Sequence, residues 1–159
     1  MFNKPTFPIP QVTKLSTIRL SRLLAQTFVT GVNADIVWDV PTVSDVDSNV
    51  YSYNSVTGLV TLNISGWYQF SFLNSWVASA VGARLSAFNI TDGILYVPRN
   101  DVLATNPNIT SPRITEYSAK IYNVGSTVSF RVGQTSGGNL NVNGGVNNLS
   151  ASIIRLSDI

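Results

Sequence analysis

Residues 65–72 read Ser-Gly-Trp-Tyr-Gln-Phe-Ser-Phe, and this run constrains the fold more than any other. A glycine opens directly into a segment that alternates sides. Tyr68, Phe70 and Phe72 point one way, and Trp67, Gln69 and Ser71 the other. Residues 59–64 alternate too, with Val60, Leu62 and Ile64 on one side. The pattern predicts two strands joined as a hairpin with an aromatic inner face. It also leaves Trp67 on the outside, where an isolated monomer would expose it; exposed aromatics of this kind mark interfaces.

Alternating segments separated by glycine turns recur along the chain. Strands are expected over residues 18–24, 28–30, 35–40, 51–53, 75–81, 84–90, 94–97, 114–122, 127–132, 140–142 and 149–156. Asp92-Gly93 is a strong hairpin dipeptide. Pro98, Pro107 and Pro112 make residues 98–112 mostly loop, and glycines make 134–148 another. Nowhere does helical periodicity persist. The reading is an all-β protein, an antiparallel sandwich or jelly roll occupying residues 16–159. Residues 1–15 stand apart as an extended arm. Pro5, Pro8 and Pro10 exclude a helix there, Phe2, Phe7 and Ile9 offer apolar anchors, and Lys4 adds charge.

The 159 residues suit one domain with a self-sufficient core. Only 18 are charged, whereas 49 are Asn, Ser or Thr, so neutral polar groups must solvate the surface. Such groups cost less to desolvate than charges, which suits close packing against sister copies or a lattice. A net charge of +2 argues against nucleic-acid binding. The charges are unevenly spread: Lys4, Lys14, Arg19 and Arg22 precede Asp35, Asp39, Asp45 and Asp47. The first ten residues lack the apolar core of a secretory signal, and no run approaches a membrane helix. Manufacture in the cytoplasm, without membrane association, is the expectation.

Chemistry for catalysis is sparse. There is no histidine and no cysteine, which removes the commonest general base and every thiolate or Ser-His system. Seven aspartates and Glu116 form no recognisable acid–base pair. The chain reads as a non-enzyme without cofactor. Asp45, Asp47 and Asn49 alternate oxygen ligands as calcium loops do, but no glycine follows and Val56 stands where such loops close with Glu. A solvated acidic loop is the simpler reading. Four Asn-x-Ser/Thr sequons, at Asn63, Asn89, Asn108 and Asn148, are expected to stay unmodified without a secretory signal.

Five pieces in order resemble the tumour-necrosis-factor/complement-one-q-like jelly-roll superfamily, and in particular its stand-alone modules in phage and other viral particles. They are Ala25-Gln26; Asp35-Ile-Val-Trp-Asp39; the Gly-x-Tyr-x-Phe hairpin from Leu62 to Phe70; the stretch from Gly125 to Leu140; and the closing strand from Leu149 to Leu156. The resemblance implies a ten-stranded, two-sheet jelly roll forming a homotrimer, with one sheet of each subunit around the threefold axis. By position, Trp67, Gln69, Ile154 and Leu156 would line that axis. It further implies a virion structural protein, assembled in the host cytoplasm. This would be a capsid decoration, vertex spike or fibre head, anchored on capsid or fibre base by Phe2, Lys4, Pro5, Phe7, Pro8, Ile9 and Pro10. The alternative is a module that binds a host receptor or glycan through apical loops carrying Asn106, Asn108, Asn139 and Asn143, with Tyr96 and Tyr122 as stacking surfaces. Some members of the superfamily hold calcium near the trimer top, a site these residues do not match.

Overall fold

The computed structural model describes residues 15–42, 48–96, 99–103 and 111–158. In chain order the strands are β1 (Ser16–Ser21), β2 (Gln26–Phe28), β3 (Ala34–Asp35), β4 (Val40–Thr42), β5 (Tyr51–Tyr53), β6 (Val60–Leu62) and β7 (Gly66–Trp76). There follow β8 (Ala83–Asp92), β9 (Ile94–Tyr96), β10 (Arg99–Leu103), β11 (Ser111–Ile121), β12 (Ser126–Gln134), β13 (Leu140–Val142) and β14 (Leu149–Ser157). All pairings are antiparallel.

Two sheets result. Sheet A runs β4-β1-β14-β7-β11, with β13 and β2 continuing it past the end of β14. Sheet B runs β5-β6-β12-β8-β10, with β3 and β9 added at its ends. Each frame has five strands. Their facing sides enclose the core. Phe72 and Phe88 meet Phe130 edge-on at 5.5 and 5.6 Å, and Trp38 meets the same ring at 5.5 Å. T-shaped contacts of this kind add to the burial of rings that are themselves fully enclosed.

The expected hairpin between residues 59–64 and 65–72 does not exist. β6 pairs with β5 and β12 in sheet B, while β7 pairs with β11 and β14 in sheet A. The chain crosses between layers at residues 63–65. Two strands facing each other across a core alternate just as two hairpin strands do, so periodicity cannot separate the cases. The Gly-x-Tyr motif holds this corner. Tyr68 Oη donates to the Ile64 carbonyl, and Arg155 donates to that of Ser65 through Nη2 at 3.0 Å. Gly66 is obligatory, since a Cβ there would stand 2.5 Å from the Ser157 carbonyl at φ +155°.

Three other expectations change. Residues 75–81 are not a strand: β7 ends at Trp76, whose indole is sealed at the end of the core, with Phe28 5.8 Å away. Within residues 98–112 the described residues are strand, 99–103 forming β10 along β8 and β11 starting at Ser111. Pro112 fits because β11 pairs only with β7, leaving its other edge free of the ladder. Residues 35–40 do not form one strand either. Pairing stops at Asp35, and the chain crosses to β4 with Trp38 clasped by Tyr53 Oη, which accepts from its amide at 3.0 Å and donates to its carbonyl at 2.8 Å. Asp92-Gly93 does turn a tight hairpin, Asp92 pairing with Ile94.

Candidate assembly surface and apical loops

The outer side of sheet A is the most unusual surface. β7 buries Tyr68, Phe70 and Phe72 and turns Trp67, Gln69, Ser71 and Leu73 outward. β14 buries Leu149, Ala151 and Ile153 and turns Ser150, Ser152 and Ile154 outward. Register places Ile154 beside Gln69 and Ser152 beside Ser71. Trp67 is 44% exposed, and Leu156, in a bulge between Arg155 and Ser157, is 41% exposed. The four residues expected at an assembly axis therefore lie on two neighbouring strands of one outward face, Gln69 and Ile154 half-buried.

This face is apolar and hydroxylic, with few charges. A shallow hollow of about 310 Å³ occupies it between Arg19, Ser21, Ser71, Leu73 and Ser152. A second, of about 300 Å³, lies between Trp67, Lys120 and Tyr122, where the Lys120 ammonium sits 5.0 Å from the Tyr122 ring. Arg19, Ser71, Leu73 and Glu116 join the expected four on this face. Strand parity places each outward, but only the sheet register shows that they share a face.

The two ends of the sandwich differ. At one end the start of β1 pairs with the end of β14, Ser16 with Arg155, close to Trp67. Both ends of the described chain thus leave side by side. At the opposite end residues 29–33, 77–82 and 135–139 converge. Gly31 N donates to the Gln134 carbonyl at 2.7 Å, and Thr135 N to that of Ala83 at 3.1 Å. Buried Gln134 braces this tip, its amide donating to the Phe28 and Gly138 carbonyls at 3.0 and 2.8 Å. Asn139 is exposed in the tip. Asn143 is not its neighbour in one loop; it lies in the 143–148 excursion, its amide bonded to the Ser75 carbonyl at 2.7 Å. The core is also more polar towards this tip. Asn74 Nδ2 donates to Ser86 Oγ at 2.7 Å, while Asn74 Oδ1, Trp76 Nε1 and Thr115 Oγ1 are buried without a partner.

Charges elsewhere are used internally. The basic start and the acidic stretch meet within the chain, Arg22 pairing with Asp39 at 3.0 Å. Asp35 receives Arg131 Nε at 2.8 Å. Asp92 is nearly buried. Burial alone would push its carboxyl up, but donation from the Tyr122 amide, the Ser126 hydroxyl and both the amide and side chain of Asn123, each at 2.8 Å, holds it below the usual range. Burial raises the Tyr51 and Tyr68 hydroxyls, and Tyr51 donates to the Ser16 carbonyl at 2.7 Å.

Among the described residues no three carboxylates, cysteines or histidines gather as metal ligands, and no helix is long and apolar enough to cross a membrane. Asp45, Asp47, Asn106, Asn108 and the arm residues Phe2 to Pro10 lie outside the described residues. Asn49 is exposed.

No family model matches the sequence, and no curated protein matches it. Solved structures do. Murine APRIL at pH 5.0 superposes with a TM-score of 0.70 at 10% identity, over 90% of this chain and all of that one. This chain has the TNF-like jelly-roll fold. Eiger TNF from S. frugiperda matches the same jelly roll with a TM-score of 0.64 at 14% identity, over 91% of this chain and 94% of that one. The globular domain of zebrafish complement 1qA gives 0.63 at 12%, over 91% and 99%. At these identities the likeness is of fold, and the five-piece resemblance read from the sequence agrees with it.

Proposed function

We propose that this chain is a non-enzymatic virion structural protein: a homotrimeric TNF-like jelly roll seated on a capsid or fibre base by residues 1–15. The observation that carries the assembly half is the outer side of sheet A. Trp67 and Leu156 are exposed and Leu73 and Ile154 are half-buried, all turned outward on adjoining strands. Their burial by sister subunits removes apolar surface from water at little desolvation cost, because the groups between them are serines and one glutamine.

The attachment half is supported by polarity. The chain enters the domain at the end opposite the tip, so an arm preceding Leu15 joins at one pole while residues 135–139 lie at the other. Three arms on one trimer act together, multiplying a single weak contact by about 10²–10⁴. The viral setting itself is supported by the resemblance and by the low-charge, hydroxyl-rich surface. The test is twofold. Sedimentation should give a trimer mass, and deleting residues 1–15 should leave that mass trimeric while abolishing binding to particles. Normal particle occupancy by the truncated protein defeats the arm.

A second reading, recognition of a host glycan or receptor, is favoured by the braced tip around Gln134 and the exposed Asn139. Glycan arrays probed with purified protein separate this role from pure decoration.

A further inference from the structure

One row across the outer side of sheet A joins four strands at matched register: Arg19 on β1, Ser152 on β14, Ser71 on β7 and Glu116 on β11. The two charged members are exposed, and among the described residues neither enters an ion pair. Three strand spacings separate their Cα atoms by ~14 Å, so they cannot meet within one chain. Opposite charges therefore stand at opposite sides of a face whose other described outward residues on β7 and β14 are apolar, hydroxylic or amide, with Lys120 further along β11.

We propose that Arg19 of one subunit pairs with Glu116 of the next, fixing a head-to-tail contact in which the β11 side of one copy lies over the β1–β14 side of its neighbour. The proposal rests on the trimer reading and specifies its geometry. A face that carries one charge at each side is complementary to itself by rotation in a ring, and a heterologous contact repeated three times closes one. The hollow of about 310 Å³ beside Arg19 leaves room for a side chain of the neighbour's β11. Lys120 supplies the opposing element. It lies four residues along β11 from Glu116, ~13 Å away, so a slip of that size would bring Arg19 against a like charge. Attraction at Glu116 and repulsion at Lys120 together select one axial register.

The absence of any native cysteine makes a direct test possible. In the double variant Arg19→Cys, Glu116→Cys, mild oxidation should yield covalently closed trimers, since each subunit bonds two neighbours. A bond within one chain is excluded, because disulfides need Cα atoms within about 7 Å. Mixing the two single variants should yield covalent dimers. Charge reversal gives the independent measurement. Arg19→Glu or Glu116→Arg alone should raise the trimer dissociation constant by at least about tenfold, and the double reversal should return it to within about threefold. A native trimer whose dissociation ignores both single reversals overturns the pair while leaving the trimer standing, whether or not the shorter cysteine pair closes. A native protein that stays monomeric at every concentration overturns the trimer reading itself.

Discussion

The outer sides of the two sheets have opposite economies of charge and apolar surface. On sheet B, Arg131 is answered by Asp35 and, with its amide correctly oriented, by Asn89 at 3.0 Å. Its neighbours there are small, such as Ala87, Ser129 and Thr127, and the side is complete in a single chain. On sheet A, Arg19 and Glu116 enter no ion pair among the described residues, Trp67 and Leu156 are exposed, and Ile154 is half-buried. The same fold thus answers a charge on one surface internally and leaves apolar groups and single charges exposed on the other. Composition does not distinguish them, since both are rich in Ser and Thr; pairing does.

The comparison can be broken most forcefully through β7, whose two sides belong to different environments. Phe72→Ala removes a ring shared by both sheets and should cost about 3–5 kcal/mol in chemical denaturation, enough to unfold a marginal subunit. Next comes Asp92, which ties the end of β8 to the crossing between β11 and β12. Asp92→Ala strands three donors, the Ser126 hydroxyl keeping the Asn123 carbonyl, and should cost roughly 3 kcal/mol. Because the folded state holds this carboxyl below its ordinary value of 3.8, its contribution is complete above that pH and is lost as pH falls through the lower, folded value. Thermal unfolding between pH 2 and 6 should show the loss, and Asp92→Asn should flatten it. Trp67→Ala should shift denaturation of the subunit by no more than about 0.5 kcal/mol yet weaken association about tenfold or more by sedimentation. An equal loss in both would place Trp67 in the fold and not in an interface. The smallest effect is expected on sheet B, where Arg131→Ala breaks a partly exposed pair worth about 0.5 kcal/mol and should leave association unchanged.

Much of the layering was legible. Tyr68, Phe70 and Phe72 declared the inner side of β7 by alternation, as did Val128, Phe130 and Val132 for β12, and Asp92-Gly93 declared its turn. What alternation could not supply was sheet membership. Residues 60–62 and 66–76 look like hairpin partners in sequence because both face one core, yet they belong to different layers. β10 escaped notice because Arg99, Asn100 and Asp101 show no apolar period; the strand is held by backbone bonds to β8. The outward Trp67 was legible from parity alone. The row from Arg19 to Glu116 was not, because it draws on four strands scattered over a hundred residues and exists only once they are in register.

The adjacency of Ser16 and Arg155 has a practical corollary. A short linker could splice the two ends there without straining either sheet, and new ends could be opened among residues 135–139 at the far pole. Such a circularly permuted chain would keep every strand pairing while reversing the pole from which a fused cargo hangs.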